Sequence, residues 1–254
     1  MSRPHLLLVP FVTELEWETI RPALEEWADV ATYDAPGVGD EQAPEVLTDG
    51  PSSLDPVELL RTHREAVAVR GIEEAERHGW EEFLIVADSY GIPSAVRTAE
   101  LAAGRATALA IGHATLSRTG EGERPTMVRE VFDAMGAMLR TDREAFIAAA
   151  VAQVTQGAVD AELAQRWLER FPDAATVNSL WAALGRDPEP VGDRIERLGL
   201  PLLLSEHAGC LVETREGFED IVAAFPDAAT VSCPEACAAS PAFAEALREF
   251  AEPS

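Results

Sequence analysis

Apolar residues along this chain fall into short continuous runs separated by longer stretches of helical period. His5–Val9 (HLLLV), Glu82–Ala87, Ala106–Ile111 and Pro201–Ser205 are runs of the first kind. A run without polar alternation is what a strand buried on both faces requires. Asp29–Tyr33 and Ala228–Ser232 give two further strand signals. Between them lie helical patterns: Glu14–Trp27, with Leu15, Ile20, Leu24 and Trp27 in phase, then Pro56–His78, Tyr90–Ala103, Glu216–Phe225 and Pro241–Phe250. Asp55 is a good N-cap for the second of these, and Pro56 fits its first position. This alternation predicts an α/β fold with a mostly parallel, doubly wound sheet of about six strands.

From Ala114 to Leu198 the strand signals stop while helical ones continue, at Pro125–Leu139, Asp142–Val154, Ala161–Phe171 and Ala174–Leu184. The expected organisation is therefore a core of residues 1–113 and 199–254 interrupted by a helical lid, 114–198. Most large apolar residues of that lid are its own packing face. Any left over, with Met135 and Met138 as candidates, would line an apolar pocket, and the adaptable thioether suits acyl groups of varied shape.

Composition narrows the function. Apolar residues make up 47% of the 254, enough for a sizeable core. No apolar run approaches the roughly 18 residues of a membrane span. Met1-Ser2-Arg3-Pro4 leads straight into a strand-like run rather than a signal segment, so a cytoplasmic location is expected. The formal charge of −25 argues against nucleic acid and anionic membranes as partners, because both would be repelled. All 20 basic residues are Arg. Without lysine the chain carries no Schiff-base or pyridoxal chemistry and no P-loop, and no cofactor is predicted. An acidic, lysine-free surface is otherwise a mark of base composition or salt adaptation. A homodimer stays open as an assembly.

The strongest chemical signal is Ala87-Asp88-Ser89-Tyr90-Gly91, between an apolar strand and a helix. Strand, small-x-Ser-x-Gly, helix is a nucleophile elbow: the serine sits on a strained turn, and small residues two positions away on each side let strand and helix pack closely. Ser89 then stands at a helix N-terminus, where free N–H groups favour a developing oxyanion. Asp88 and Tyr90, its neighbours, are candidate pocket residues.

With this elbow, the opening HLLLVPFVTELEWETIRPALEEWADVATYDAPGVGDE and the ending LPLLLSEHAGC…SPAFAEALREF, the chain resembles the α/β-hydrolase fold family over nearly its whole length. The resemblance implies a sheet lacking the family's two leading strands. It also implies oxyanion donors in the backbone N–H of Tyr90 and one from Phe11 or Val12, although the family's His-Gly is here Pro10-Phe11.

The family orders its triad serine, acid, histidine. Aligned on the resemblance, Ala208 stands at the acid and Cys233 at the histidine, and no histidine follows His207. A serine hydroxyl is a weak nucleophile without a base, so another residue must serve or the site does other chemistry. His113, after the strand beside the elbow strand, and His207, in the acid's own loop, are the candidate bases. His63 and His78 read as solvated helix residues. His207, Cys210, Cys233 and Cys237 fall on two loops expected to be adjacent, and one histidine with three thiolates is a legitimate tetrahedral zinc set. Disulfide pairing and buried free thiols are the alternatives. The functional expectation is an esterase- or thioesterase-like serine hydrolase acting on a small apolar substrate through a non-standard base. The alternatives are a non-hydrolytic lyase, isomerase or cyclase on the same scaffold, and a catalytically silent ligand-binding protein.

Overall fold

A computed structural model of the chain describes residues 3–39, 55–112, 126–154, 160–170, 191–208 and 215–252. Six strands form one sheet: β1 (His5–Val9), β2 (Asp29–Thr32), β3 (Phe83–Asp88), β4 (Ala106–Gly112), β5 (Leu202–His207) and β6 (Ala229–Cys233). Their order is β2-β1-β3-β4-β5-β6, and every neighbouring pair is parallel. The expected sheet is thus the observed one.

The unbroken apolar runs are explained by two packed faces. Leu7, Val9, Ile85, Ala87, Leu109, Ile111 and Leu204 belong to one buried cluster, and Leu6, Leu8, Leu84, Val86, Ala108, Ala110 and Leu203 to the other. Successive side chains of a strand point to opposite faces, so both parities must be apolar. The first face is covered by α2 (Pro56–Arg77) and α3 (Ile92–Leu101). The second is covered by α1 (Arg21–Glu25) and α9 (Pro241–Ala251), whose Leu24, Phe243 and Leu247 are fully buried. Each such side chain contributes about 1.5–3 kcal/mol by leaving water.

Between β4 and β5 the chain forms α4 (Thr126–Thr141), α5 (Arg143–Val154), α6 (Ala161–Arg170) and α7 (Gly192–Leu198). Leu139, Phe146, Ile147, Val151, Leu163 and Trp167 of α4–α6 join the first cluster, and α7 packs on α3. The helix expected over 174–184 lies outside the described residues. After β5 comes α8 (Arg215–Ala224).

Two elements differ from their sequence expectation. The single helix expected over Glu14–Trp27 is a short 3-10 turn, Glu14–Trp17, followed by α1. Pro22 has no N–H for an interior helical bond and sits instead in the first turn of a restarted helix. Strand β5 runs on to His207, placing that histidine on the last residue of the strand rather than in a loop.

Candidate active site

Ser89 opens the turn from β3 into α3 with φ +47°, a left-handed conformation that a serine adopts only under constraint. The constraint is visible at Gly91. A Cβ there would stand 3.0 Å from the Val9 carbonyl oxygen and 3.5 Å from the Phe11 nitrogen. The small residue of the motif therefore lets the elbow press directly against the segment that follows β1. Ser89 and Tyr90 are half-buried. The Tyr90 ring meets Phe11 edge-on, with centroids 5.7 Å apart.

That segment, Phe11–Glu14, is tied down on every side. Glu16 folds its carboxylate back beneath it: Phe11 N–H donates to Oε2 at 2.8 Å, while Val12 and Thr13 donate to Oε1 at 2.7 and 3.0 Å. The Phe11 carbonyl bonds to His63 Nε2 at 2.8 Å, and the Val12 carbonyl accepts from Ala35 N–H at 2.9 Å. Thr13 Oγ1 donates to Asp34 Oδ1, which also accepts from Glu14 N–H. Thr13 and Glu16 form a reciprocal capping box for the 3-10 turn. Arg170, at the end of α6, donates from one nitrogen to Glu14 Oε1 (2.6 Å) and Asp34 Oδ2 (2.9 Å), while its carbonyl accepts from Gly39 N–H. Arg166 of the same helix pairs with Glu18 at 2.9 Å. Phe11 and Val12, expected as oxyanion donors, therefore carry their N–H groups on an internal carboxylate.

Shielding from water pushes the Glu16 carboxyl up to about 7, against the pull of its three amide bonds, and the like charge of Asp88 adds to the rise. Burial pushes Asp88 up to about 6, opposed by the Ala238 N–H, the charge of His207 and the Ser89 N–H. Burial drives His63 down to about 4, so its imidazole is neutral at pH 7 and donates Nε2–H to the Phe11 carbonyl. His63 is only 2% exposed, which corrects its reading as a solvated helix residue. The exposed one is His78.

The other expected site residues fall as follows. His207 is half-buried at the end of β5, close enough to Asp88 for its charge to act there. The preceding Glu206 is tied to Arg215 and to Ser232 Oγ, each at 2.9 Å. Ala208 and Cys233, where the resemblance places acid and histidine, are neighbours: Ala208 N–H donates to the Cys233 carbonyl at 2.9 Å. Cys233 and Cys237 are buried free thiols, with their sulfurs 3.1 and 3.0 Å from Ser205 Oγ. Burial holds the Cys237 thiol above its usual range. Cys237 also fills the space over Gly112, where a Cβ would stand 2.6 Å from its own Cβ. His113 and Cys210 lie outside the described residues. Among the described residues no three His, Cys, Asp or Glu side chains converge on a metal position, so His207, Cys233 and Cys237 do not form one. Met135 packs against the cluster that Tyr90 also borders. Met138 is 41% exposed.

Sequence reasoning missed Glu16 and His63. The signal for His63 was present: Leu59, Leu60, His63, Val67 and Ala68 form one buried stripe of α2. Glu16 had one as well, since Thr13-Glu14-Leu15-Glu16 has the spacing of a capping box at a helical N-terminus.

The sheet order, the positive-φ serine between β3 and α3, and the helical insertion after β4 define the α/β-hydrolase fold, and this chain has it. No family model and no curated protein sequence matches the chain. Solved structures do. A hydrolase from Oleispira antarctica superposes with a TM-score of 0.69 at 13% identity, over 100% of this chain and 92% of its own. A thermophilic esterase from Thermogutta terrifontis gives 0.64 at 19%, over 98% and 89%. The enol-lactonase from Burkholderia xenovorans gives 0.63 at 17%, over 98% and 92%. These neighbours are hydrolases, alike in fold to a chain from which they differ at most positions.

Proposed function

We propose that the chain is a serine hydrolase of esterase or thioesterase type, acting on a small apolar acyl substrate with Ser89 as nucleophile. The observation that carries this reading is the left-handed Ser89 held between β3 and α3. Backbone strain of this kind costs roughly 1–3 kcal/mol and persists where function uses it. The company of an esterase and a lactonase among the structural neighbours supports the same chemistry.

His207 is the base in this reading, with Asp88 beside it as the orienting acid. Ser89 Oγ attacks the acyl carbon as its proton passes to the imidazole; that proton then leaves with the alcohol or thiol, and water repeats the sequence on the acyl-enzyme. The Tyr90 N–H lies next in chain to receive the oxyanion. The insertion between β4 and β5 acts as the lid, with Met135 toward the acyl group. A cytoplasmic location and a small-molecule partner fit a net charge of −25 and described helices none of which is long and apolar enough to cross a membrane.

A fluorophosphonate should label Ser89, Ser89→Ala should abolish ester turnover, and His207→Ala should lower it by about 10²–10⁴-fold. The commitment of the Phe11 and Val12 amides to Glu16 favours a second reading, in which the pocket binds a ligand or polarises a carbonyl without acyl transfer. Absence of labelling together with ligand-induced thermal stabilisation would select it.

A further inference from the structure

The Phe11 and Val12 amides can hold one anion at a time, and here they hold Glu16. The same segment is the one against which Gly91 brings the elbow, with the Phe11 nitrogen 3.5 Å from the place a Cβ would occupy. An oxyanion forming at Ser89 and drawing on these amides would meet an ionised carboxylate on shared donors. Two like charges so close in a shielded site are strongly disfavoured.

We propose that Glu16 is the positioning acid of this amide cradle: as a carboxylate it closes the cradle to an oxyanion, and as a neutral carboxyl it releases the Phe11 N–H to the reaction at Ser89. This rests on Ser89 being the nucleophile. The released amide follows from the unequal load on the two oxygens. Oε1 accepts from Val12 and Thr13, whereas Oε2 accepts from Phe11 alone. A proton therefore settles on Oε2, and a hydroxyl oxygen is a poorer acceptor than a carboxylate oxygen. Val12 and Thr13 stay on Oε1, so the capping box survives the change.

The surroundings leave Glu16 free to titrate near neutrality. Asp88, from β3, is the charged group that acts on it and favours the neutral form. Asp34, beyond β2, and Glu14, on the same turn, are engaged by Arg170 of α6, and Glu18 by Arg166. From α2 comes His63, neutral and bound to the Phe11 carbonyl. The Cys237–Ala239 turn also packs on Glu14–Trp17, bringing the protonated thiol of Cys237. Helix α5 contributes the apolar Phe146, Ile147 and Val151 to the core, and of its charges Arg143 donates to the Leu168 carbonyl while Glu144 lies in its exposed first turn.

The test combines two measurements on the full chain between pH 5 and 9. In ¹⁵N-labelled wild type, the Phe11 amide resonance should move with a midpoint near pH 7, and in Glu16→Gln it should stay still. The rate of Ser89 labelling by a fluorophosphonate should fall about tenfold per pH unit above that midpoint in wild type, giving a narrow bell, whereas Glu16→Gln should lose the alkaline limb. A Phe11 amide that does not titrate in wild type overturns the proposal whatever the variant does. So does labelling with the same alkaline profile in both proteins. No labelling of either protein at any pH removes the nucleophile reading itself, and with it the oxyanion role of the cradle.

Discussion

At the scale of single residues, the site is defined by a serine held in a conformation it does not prefer. The left-handed region costs an L-residue about 1–2 kcal/mol that glycine is spared. Ser89→Gly should therefore raise stability by about 0.5–1 kcal/mol after the extra chain entropy of glycine is deducted, a rise of about 1–4 °C in Tm. Differential scanning calorimetry would show it, and an unchanged or lower Tm would mean that the positive φ is not strained. The elbow was fully legible in the sequence, because strand, serine, small residues and helix are contiguous. Glu16 was legible only in part: the Thr13-x-x-Glu16 spacing marks it as the partner of the Thr13 amide. Its hold on the Phe11 and Val12 amides comes only from the way the chain folds back over it.

At the scale of elements, the insertion and the site segment are joined through Arg170. Its guanidinium bridges Glu14 and Asp34, and Asp34 in turn holds Thr13 and the Glu14 amide. Exposed ion pairs contribute little, but the Asp34 side chain is only 11% exposed, and charge-assisted bonds to such a group are stronger. Arg170→Ala should destabilise the fold by about 1–2 kcal/mol in urea unfolding, with Arg170→Lys recovering part of it. A loss no larger than that of an exposed arginine such as Arg248 would reduce the bridge to a surface pair. The four inner strands, β1, β3, β4 and β5, were readable because both of their faces are apolar. The bridge was not, because 136 residues separate Arg170 from Asp34. The break before α1 is masked by Leu15, Ile20 and Leu24, which keep a helical phase across it, and its one sign in the sequence is Pro22.

For the whole molecule, two half-buried carboxyls and one buried imidazole set opposing dependences of stability on pH. Glu16 and Asp88 have folded pKa values raised to about 7 and about 6, so the folded state binds more protons than the unfolded chain across the window from about 4 to 7. Their contribution to stability falls as pH rises through that window. His63, lowered to about 4 from 6.5, does the reverse: its contribution falls as pH drops from 6.5 to 4. Removing the two acids as Glu16→Gln and Asp88→Asn should leave the His63 dependence uncovered. The stability difference, variant minus wild type, should then grow between pH 4.5 and 7 and level off above. Urea unfolding at four pH values would read it, and a constant difference would show that these carboxyls titrate normally in the fold.

The cations that hold the site segment are all guanidinium groups: Arg170 on Glu14 and Asp34, Arg166 on Glu18. A guanidinium remains protonated throughout the range in which proteins function and is a poor nucleophile, unlike the ε-amine of lysine. Activated esters and thioesters acylate exposed lysines, erasing their charge and any ion pair they make. A chain with 20 arginines and no lysine presents no such side-chain amine. The clamps around Ser89 are thus chemically immune to acyl donors that would silence a lysine in the same position.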